Sequence, residues 1–375
     1  MIHLNSEFKI KIKINIMRFD LSYAFGKFSS KVKEAVSIVP AVDIGFKNFF
    51  SEKVYGTEGF NFWVTKQKRS VAVDINRRER ANINSLDKST NQFYVPPTYK
   101  EGVIYSAFDQ FQTIMGATDG KVEGEIFKAF VQKTADELVI GRQKIERAEE
   151  LQRAQALLTS GITLKNGDNI VFNRSAALLV AYNAAFGWDV LTVDPGIILK
   201  QLSDEMVTAG AVDASSVMNV IVGSTALTAF HNNPIRQAAG DIKDQVFMNL
   251  STGAPIKGLT PQGAYSTGNY RYNLWGYEGE YLDPKTGNPL KYMDPKKIVV
   301  LPNSVPFEMV YCGVAGWSDG TGLSPNAFPK IKKGVRNYYK IRDVASISEE
   351  IGVESAVLAS LNNVDAVGTA QVIAP

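Results

Sequence analysis

Cysteine and histidine are nearly missing from this chain: 375 residues hold one cysteine, Cys312, and two histidines, His3 and His231. A lone cysteine closes no disulfide within the chain, which fits synthesis in a reducing cytoplasm. Structural zinc takes four such ligands, so three His and Cys residues in all speak strongly against a His/Cys metal centre. Charge of one sign is also lacking: 41 Lys and Arg against 38 Asp and Glu leave +3, too little for a global field that would draw the chain to DNA or a membrane surface. No run of about 18 apolar residues offers a membrane-spanning helix. The segment D-P-K-T-G-N-P (283–289) lacks the spaced acids of a calcium loop, and neither a Walker-type phosphate loop nor a convincing G-x-G-x-x-G occurs. No cofactor is expected.

One catalytic pattern is present, Gly316-Trp317-Ser318-Asp319-Gly320, which matches the G-x-S-x-G nucleophile elbow. Hydrolases built on that elbow place their histidine after the serine in the chain. Both histidines here lie before Ser318, so the triad cannot be completed in that order. The bland reading is a glycine-rich turn after a strand. His231, just before Asn232-Asn233-Pro234, reads as a partly charged residue suited to a helix C-terminus.

What the chain does have is one long polar helix, predicted over residues 118–160. Val122, Ile126, Phe130, Leu138, Ile145, Ala148, Leu151, Gln155 and Leu158 recur at threes and fours, with Lys, Arg and Glu between them. Thr118 or Asp119 can cap its start, and Gly161 suits a left-handed C-terminal cap. Such a helix would reach about 60 Å. It is either a spine or a coiled coil, and Gly124, Gly141 and the lack of sustained heptads speak against the second.

Around it the chain reads as mixed α and β with no internal repeat. Residues 8–16 alternate strictly, with Ile10, Ile12, Ile14 and Ile16 on one face and Lys9, Lys11, Lys13 and Asn15 on the other: a strand whose edge wants a partner, unless Met17 is the true start. No continuous apolar core or small-residue cleavage site marks a signal peptide. Residues 21–40 suggest a weak helix ending before Pro40. A basic hairpin is predicted around a tip at Asn76-Arg77-Arg78-Glu79-Arg80. Residues 169–183 have strand character. Asp194-Pro195 opens a helix closed by Gly210 with the stripe Ile198, Leu202, Met206, and Ser224 caps another that Pro234 stops. A basic run, Lys330, Lys332, Lys333, Arg336, Lys340 and Arg342 around Tyr338 and Tyr339, is either a solvated face or a surface for nucleic-acid phosphates or an acidic neighbour.

Four segments in order, F-F-S-E-K-V-Y-G-T-E-G-F-N-F-W-V (49–64), N-Q-F-Y-V-P-P-T-Y-K-E-G (91–102), residues 137–164 of the helix, and I-V-V-L-P-N-S-V-P-F-E-M-V-Y-C-G-V-A-G-W-S-D-G (298–320), resemble the major capsid protein E family of lambda-like tailed phages. The resemblance covers roughly residues 40–375. The KIKIKINI extension is not part of the family pattern, and 240–295 does not align by eye. It implies an α+β Hong Kong 97-type capsid fold: N-terminal arm 1–50, E-loop region 51–110, peripheral domain 111–175 with the spine helix, axial α/β domain 176–330, and peripheral return strands 331–375. It further implies a subunit of pentamers and hexamers in an icosahedral shell around double-stranded DNA. Scaffold, portal and decoration proteins would be its partners, there would be no membrane and no enzyme activity, and it would reach the virion from the host bacterial cytoplasm.

Within that frame the basic hairpin (Lys66, Lys68, Arg69, Arg77, Arg78, Arg80) would lie over a neighbour's spine helix, whose exposed face is expected to carry Glu137, Glu146, Glu149 and Glu150. Gly141 would be a bending point when the shell expands. The alternatives are an encapsulin-like shell around cargo protein, a serine hydrolase using Ser318, and a nucleic-acid-binding module using the 330–342 run.

Overall fold

A computed structural model describes residues 45–65, 89–106, 123–164, 169–213, 217–241, 258–303, 307–317, 328–343 and 348–375. The N-terminal strand, the weak helix and the start of the predicted spine lie outside the described residues.

Two sheets share one continuous core. In the first, of five strands, Phe50–Val54 pairs parallel to Phe307–Cys312, which pairs antiparallel to the long strand Ser348–Ser360. That strand also pairs with Asn337–Asp343 and with Thr98–Ser106. The second sheet has six strands, ordered Leu179–Val180, Gly368–Gln371, Lys297–Pro302, Val217–Gly223, Tyr270–Tyr277, Thr260–Thr267. The strand segments of each are β-branched and aromatic, as a sheet buried on at least one face requires. The chain crosses between the sheets: 307–312 belongs to the first, and 368–371 returns to the second.

The spine helix spans Glu123–Thr159, about 55 Å at 1.5 Å per residue. It packs on one face of the first sheet, and the approach is tight at Gly141. A Cβ there would stand 3.2 Å from the Cβ of Glu101 and 3.4 Å from Val353 Cγ1, so the glycine has a packing reason irrespective of bending. On the opposite face the cross-strand partners Tyr339, Gly352 and Gly102 lie in one row. The Tyr339 ring lies across both glycines, its hydroxyl donating to Glu350 Oε1 (2.6 Å) and Lys100 Nζ standing 4.1 Å over the ring. Aromatic cover of strand glycines restores packing that a bare strand interior lacks.

Several ends differ from expectation. The left-handed residue after the spine is Ser160 (φ 56°), not Gly161, which already starts the strand Gly161–Thr163. Ser160 tolerates this because its carbonyl accepts from Phe172 N–H (2.9 Å) and its hydroxyl from Arg174 N–H (3.3 Å). Of 169–183 only Asn169–Val171 and Leu179–Val180 are strands. The helix Gly196–Thr208 follows Asp194-Pro195, with Asp194 Oδ1 accepting from Gly196 N–H (2.8 Å), the predicted stripe buried and Gly210 at φ 74°. Ser224 begins the helix Ser224–Asn232 but caps nothing with its side chain, and Pro234 opens a further helix, Pro234–Asp241, instead of ending the chain's helical run. Asn233 is what makes this possible: its Oδ1 accepts from Ile235 N–H (3.0 Å) and Arg236 N–H (3.3 Å), while proline suits a first turn that needs no N–H.

Candidate functional site: a buried charge network and the surfaces around it

The glutamates expected to face a neighbour are inside the subunit. Glu149 is 2% exposed, Glu150 0% and Glu146 5%, and Arg153 beside them is 0% exposed. Leu151 and Leu158, from the predicted apolar stripe, are only half-buried. The helix is rotated so that its second half turns acids and an arginine onto the sheets.

Glu149 and Glu150 are each met by groups from far along the chain as well as by Arg153 on the same helix. Glu149 Oε2 accepts from Tyr311 Oη–H (3.2 Å) and Arg153 Nη2 (3.4 Å), and Glu149 Oε1 pairs with Arg336 Nη1 at 2.7 Å. Glu150 Oε1 accepts from Phe46 N–H (2.7 Å) and Tyr277 Oη–H (3.1 Å), and its Oε2 from Arg153 Nη1 (3.3 Å). Glu146 takes the Arg142 Nε–H at 2.9 Å. Three carboxylates therefore face three guanidinium groups, the neutral balance that lets charges be buried at all. Gln152 completes the grip: its Nε2 donates to Tyr99 Oη (2.7 Å) and Val357 O (3.3 Å), and its Oε1 accepts from Ala359 N–H (3.1 Å).

Electrostatics follow burial. Desolvation pushes the Glu150 carboxyl above the usual range, and Arg153, the Phe46 amide and Tyr277 only partly offset it. Burial alone would lower Arg336, yet Glu149 holds it above its ordinary value. Because the Glu150 value is raised by folding, its stabilising contribution is complete below the ordinary carboxylate range and is lost as pH rises through the raised value. Glu150→Gln keeps an acceptor for Phe46 and Tyr277 and removes that dependence. Its denaturation midpoint, followed by urea melts from pH 4 to 8, is expected to vary less with pH than the parent's.

Arg174 holds the far end of the spine. Its Nη1 donates to Leu157 O (2.8 Å) and Thr369 Oγ1 (3.2 Å), and its Nη2 to Ala156 O (2.9 Å), satisfying carbonyls that a helix end leaves without partners. Burial lowers its pKa to about 10, partly offset by Asp365. Sequence reasoning missed this residue. No local signal separates buried from exposed arginines: of the two between residues 145 and 160, Arg147 is exposed and only Arg153 is buried.

The remaining predicted residues are dispersed. Lys66, Lys68, Arg69, Arg77, Arg78 and Arg80 lie outside the described residues, but the strands on either side, Phe60–Thr65 and Ser89–Tyr94, pair antiparallel as a hairpin. Glu137 is half-buried. Lys330 and Lys333 are exposed and Lys332 and Lys340 half-exposed, whereas Arg336 leaves the basic run to enter the buried network. Arg342 sits opposite Glu349 in the register of the first sheet. Ser318 lies outside the described residues; Val314–Trp317 before it pairs antiparallel with Pro329–Lys332 after it, where the nucleophile elbow would lead from strand to helix. His231 contacts Gln262 Oε1 (3.3 Å), and burial and Arg236 hold it below the ordinary histidine value. The charged helix-end role expected for His231 is therefore corrected: a half-buried imidazole next to Arg236 favours its neutral form. Among the described residues no three His, Cys, Asp or Glu side chains are grouped to hold a metal, and no helix is long and apolar enough to cross a membrane.

A long helix gripped to one sheet, a second α/β sheet beside it and a basic hairpin rooted in paired strands define a class of protein. The fold matches that of a putative capsid protein of an Escherichia coli CFT073 prophage with TM-score 0.57 at 13% identity, over 92% of this chain and 98% of that one. It is the α+β Hong Kong 97-type capsid fold. The chain belongs to the family described as phage major capsid protein E, whose model matches residues 35–368. Other structural matches are a phage-related protein of Bordetella bronchiseptica RB50 (TM-score 0.44, 11% identity, 92% of this chain and 96% of that one) and the holo-SrpI encapsulin complex of Synechococcus elongatus PCC 7942 (0.41, 10%, 87% and 86%). No protein of curated function matches the sequence significantly.

Proposed function

We propose that copies of this subunit form pentamers and hexamers that close into an icosahedral shell around double-stranded phage DNA, without catalysis. Scaffold, portal and decoration proteins complete the particle, and the subunit passes from the host bacterial cytoplasm to the virion. The observation that carries this reading is the match of residues 35–368 to a capsid family. The five-stranded sheet with the spine is the peripheral domain and the six-stranded sheet the axial one. On that division 307–312 goes with the peripheral domain and 368–371 with the axial one. Large apolar side chains left in water, among them Phe93, Val95, Leu282 and Phe328, support extensive contacts with other copies.

The basic hairpin meets a neighbouring subunit by charge, setting register more than affinity. Of the four glutamates first considered as its acceptors, burial leaves Glu137. Lys330, Lys332, Lys333, Lys340 and Arg342 form a surface toward packaged DNA or a neighbour. Sedimentation and negative-stain imaging of the expressed chain should give capsomers or shells; a stable monomer under all conditions would overturn the proposal. Arg77→Glu combined with Arg78→Glu is expected to abolish shells while the subunit's thermal unfolding stays the same, and normal shells from that variant would remove the hairpin from the interface.

A further inference from the structure

The strands Glu280–Leu282 and Pro289–Lys291 pair only with each other among the described residues, and all six of their residues are exposed or half-exposed. Two strands of three residues would not hold in water by themselves. At the base they are held by rings: Tyr281 lies 4.9 Å from Tyr292, Tyr292 6.4 Å from Tyr277, and Tyr277 4.7 Å from Phe46. At the tip Asp283 accepts from Lys285 N–H (3.1 Å) and Thr286 Oγ1–H (2.8 Å), and Gly287 N–H donates to Asp283 O (2.8 Å). A turn fixed in this way has little freedom left to lose on binding. What it holds out is Leu282, 69% exposed, more than any other large apolar side chain among the described residues. A second surface, of different make, lies beyond the strand Phe50–Val54, whose length of about 17 Å keeps the two apart within one copy. It is built on the loop of residues 55–59. Gly313 N–H donates to Thr57 O (2.8 Å), a Cβ on Gly313 would run into Ile331, and a Cβ on Gly59 would run into Phe93. The loop therefore passes between Ile331, 42% exposed, and Phe93, 66% exposed, and Gly56 adds no side chain between them. The result is a shallow apolar saddle edged by the exposed Lys333 and Lys330, with Glu58 the loop's one acid.

We propose that Leu282 of one copy seats in the saddle of the next copy, between Phe93 and Ile331, with Glu278 and Glu280 facing Lys330 and Lys333. This rests on the shell reading above: a ring of five or six identical subunits needs a head-to-tail contact, in which two different surfaces of one chain fit each other. The two surfaces differ in the way such a contact requires. One projects and the other is hollow, and each centres on large apolar side chains that water otherwise covers. Their charges are opposite. Residues 278–283 hold Glu278, Glu280 and Asp283 and no cation, while Lys291, opposite Glu280, has its Nζ turned to Ser224 Oγ at 3.5 Å. The saddle's rim is lysine. Apolar centres with charged rims are the usual anatomy of a specific contact, the rim selecting the partner's orientation.

Disulfide trapping on particles of the full chain tests the pairing. Leu282→Cys combined with Ile331→Cys should give, on oxidation, a ladder of covalent oligomers of up to five or six chains, and neither substitution alone should. Cys312 does not compete, because it is buried and its thiol pKa is raised to about 11. Particles that form without a ladder would overturn the pairing and leave the shell reading intact. Covalent dimers alone would do the same, since they mark a two-fold contact. If the parent chain forms neither capsomers nor shells, the shell reading falls and the pairing with it. Charge reversal decides the matter where the cysteine pair itself does not assemble. Glu280→Lys should lower particle yield at least ten-fold without moving the subunit's urea midpoint, and adding Lys330→Glu or Lys333→Glu should restore it. Unchanged yield from Glu280→Lys, or no recovery with either second substitution, would overturn the assignment.

Discussion

Glu149→Ala is expected to lower the stability of the free subunit by about 3–5 kcal/mol, although glutamate on a polar helix would ordinarily be replaceable at little cost. The carboxylate is 2% exposed and faces Arg153 Nη2 and Arg336 Nη1, so its removal leaves excess positive charge where water cannot reach it. In a protein of this size the loss corresponds to a fall in Tm of about 5 °C. Two controls separate the cause. Glu137→Ala, on the same helix but half-buried, should stay within about 0.5 kcal/mol of the parent. Replacing Glu149 and Arg336 together by methionine, which leaves Arg153 paired with Glu150, should recover much of the loss, since an apolar pair of similar volume needs no counter-charge. If Glu149→Ala unfolds in urea at the parent's midpoint, the network contributes nothing to stability.

Arg174→Met should cost about 2–4 kcal/mol, less than the sum of its charge-assisted hydrogen bonds because a buried guanidinium also bears a desolvation penalty. The Ala156 and Leu157 carbonyls lose their fork, and only Thr369 Oγ1–H, which donates to Leu157 O at 3.0 Å, remains. Arg174→Lys should rescue little, since one ammonium does not span two carbonyls in the planar geometry of the fork. The local readout is amide exchange over residues 153–159, where fraying of the last helical turns would appear first. Unchanged exchange there, with unchanged urea midpoint, would show that the spine ends securely without Arg174.

The two substitutions bracket what could be read from the sequence. The spine helix, the hairpin strands on either side of the basic segment and the helix after Asp194-Pro195 were legible because each depends on neighbours in the chain: periodicity, alternation, a capping side chain, a glycine at the end. The left-handed Ser160 and the second helix at Pro234 were not, because a serine at φ 56° and a proline after Asn233 are each made tolerable by specific hydrogen bonds.

The candidate site divides in the same way. Its chemistry, charged side chains with almost no His or Cys, was visible and turned attention from catalysis to assembly. Its geometry was not. Hydrophobic spacing assigns a helix face by what side chains would prefer alone, so Leu151 and Leu158 marked the inside and the glutamates the outside. What decided otherwise was the arrival of Phe46, Tyr277, Tyr311 and Arg336 around residues 149–153, from segments separated from them by more than 100 residues. The sequence by itself determined that this protein has a long polar spine, a pair of hairpin strands flanking a basic segment, and the pattern of a capsid family. Only the tertiary structure decided which of the spine's charges are interior, because a carboxylate can be buried when opposite charges and donors converge on it in space.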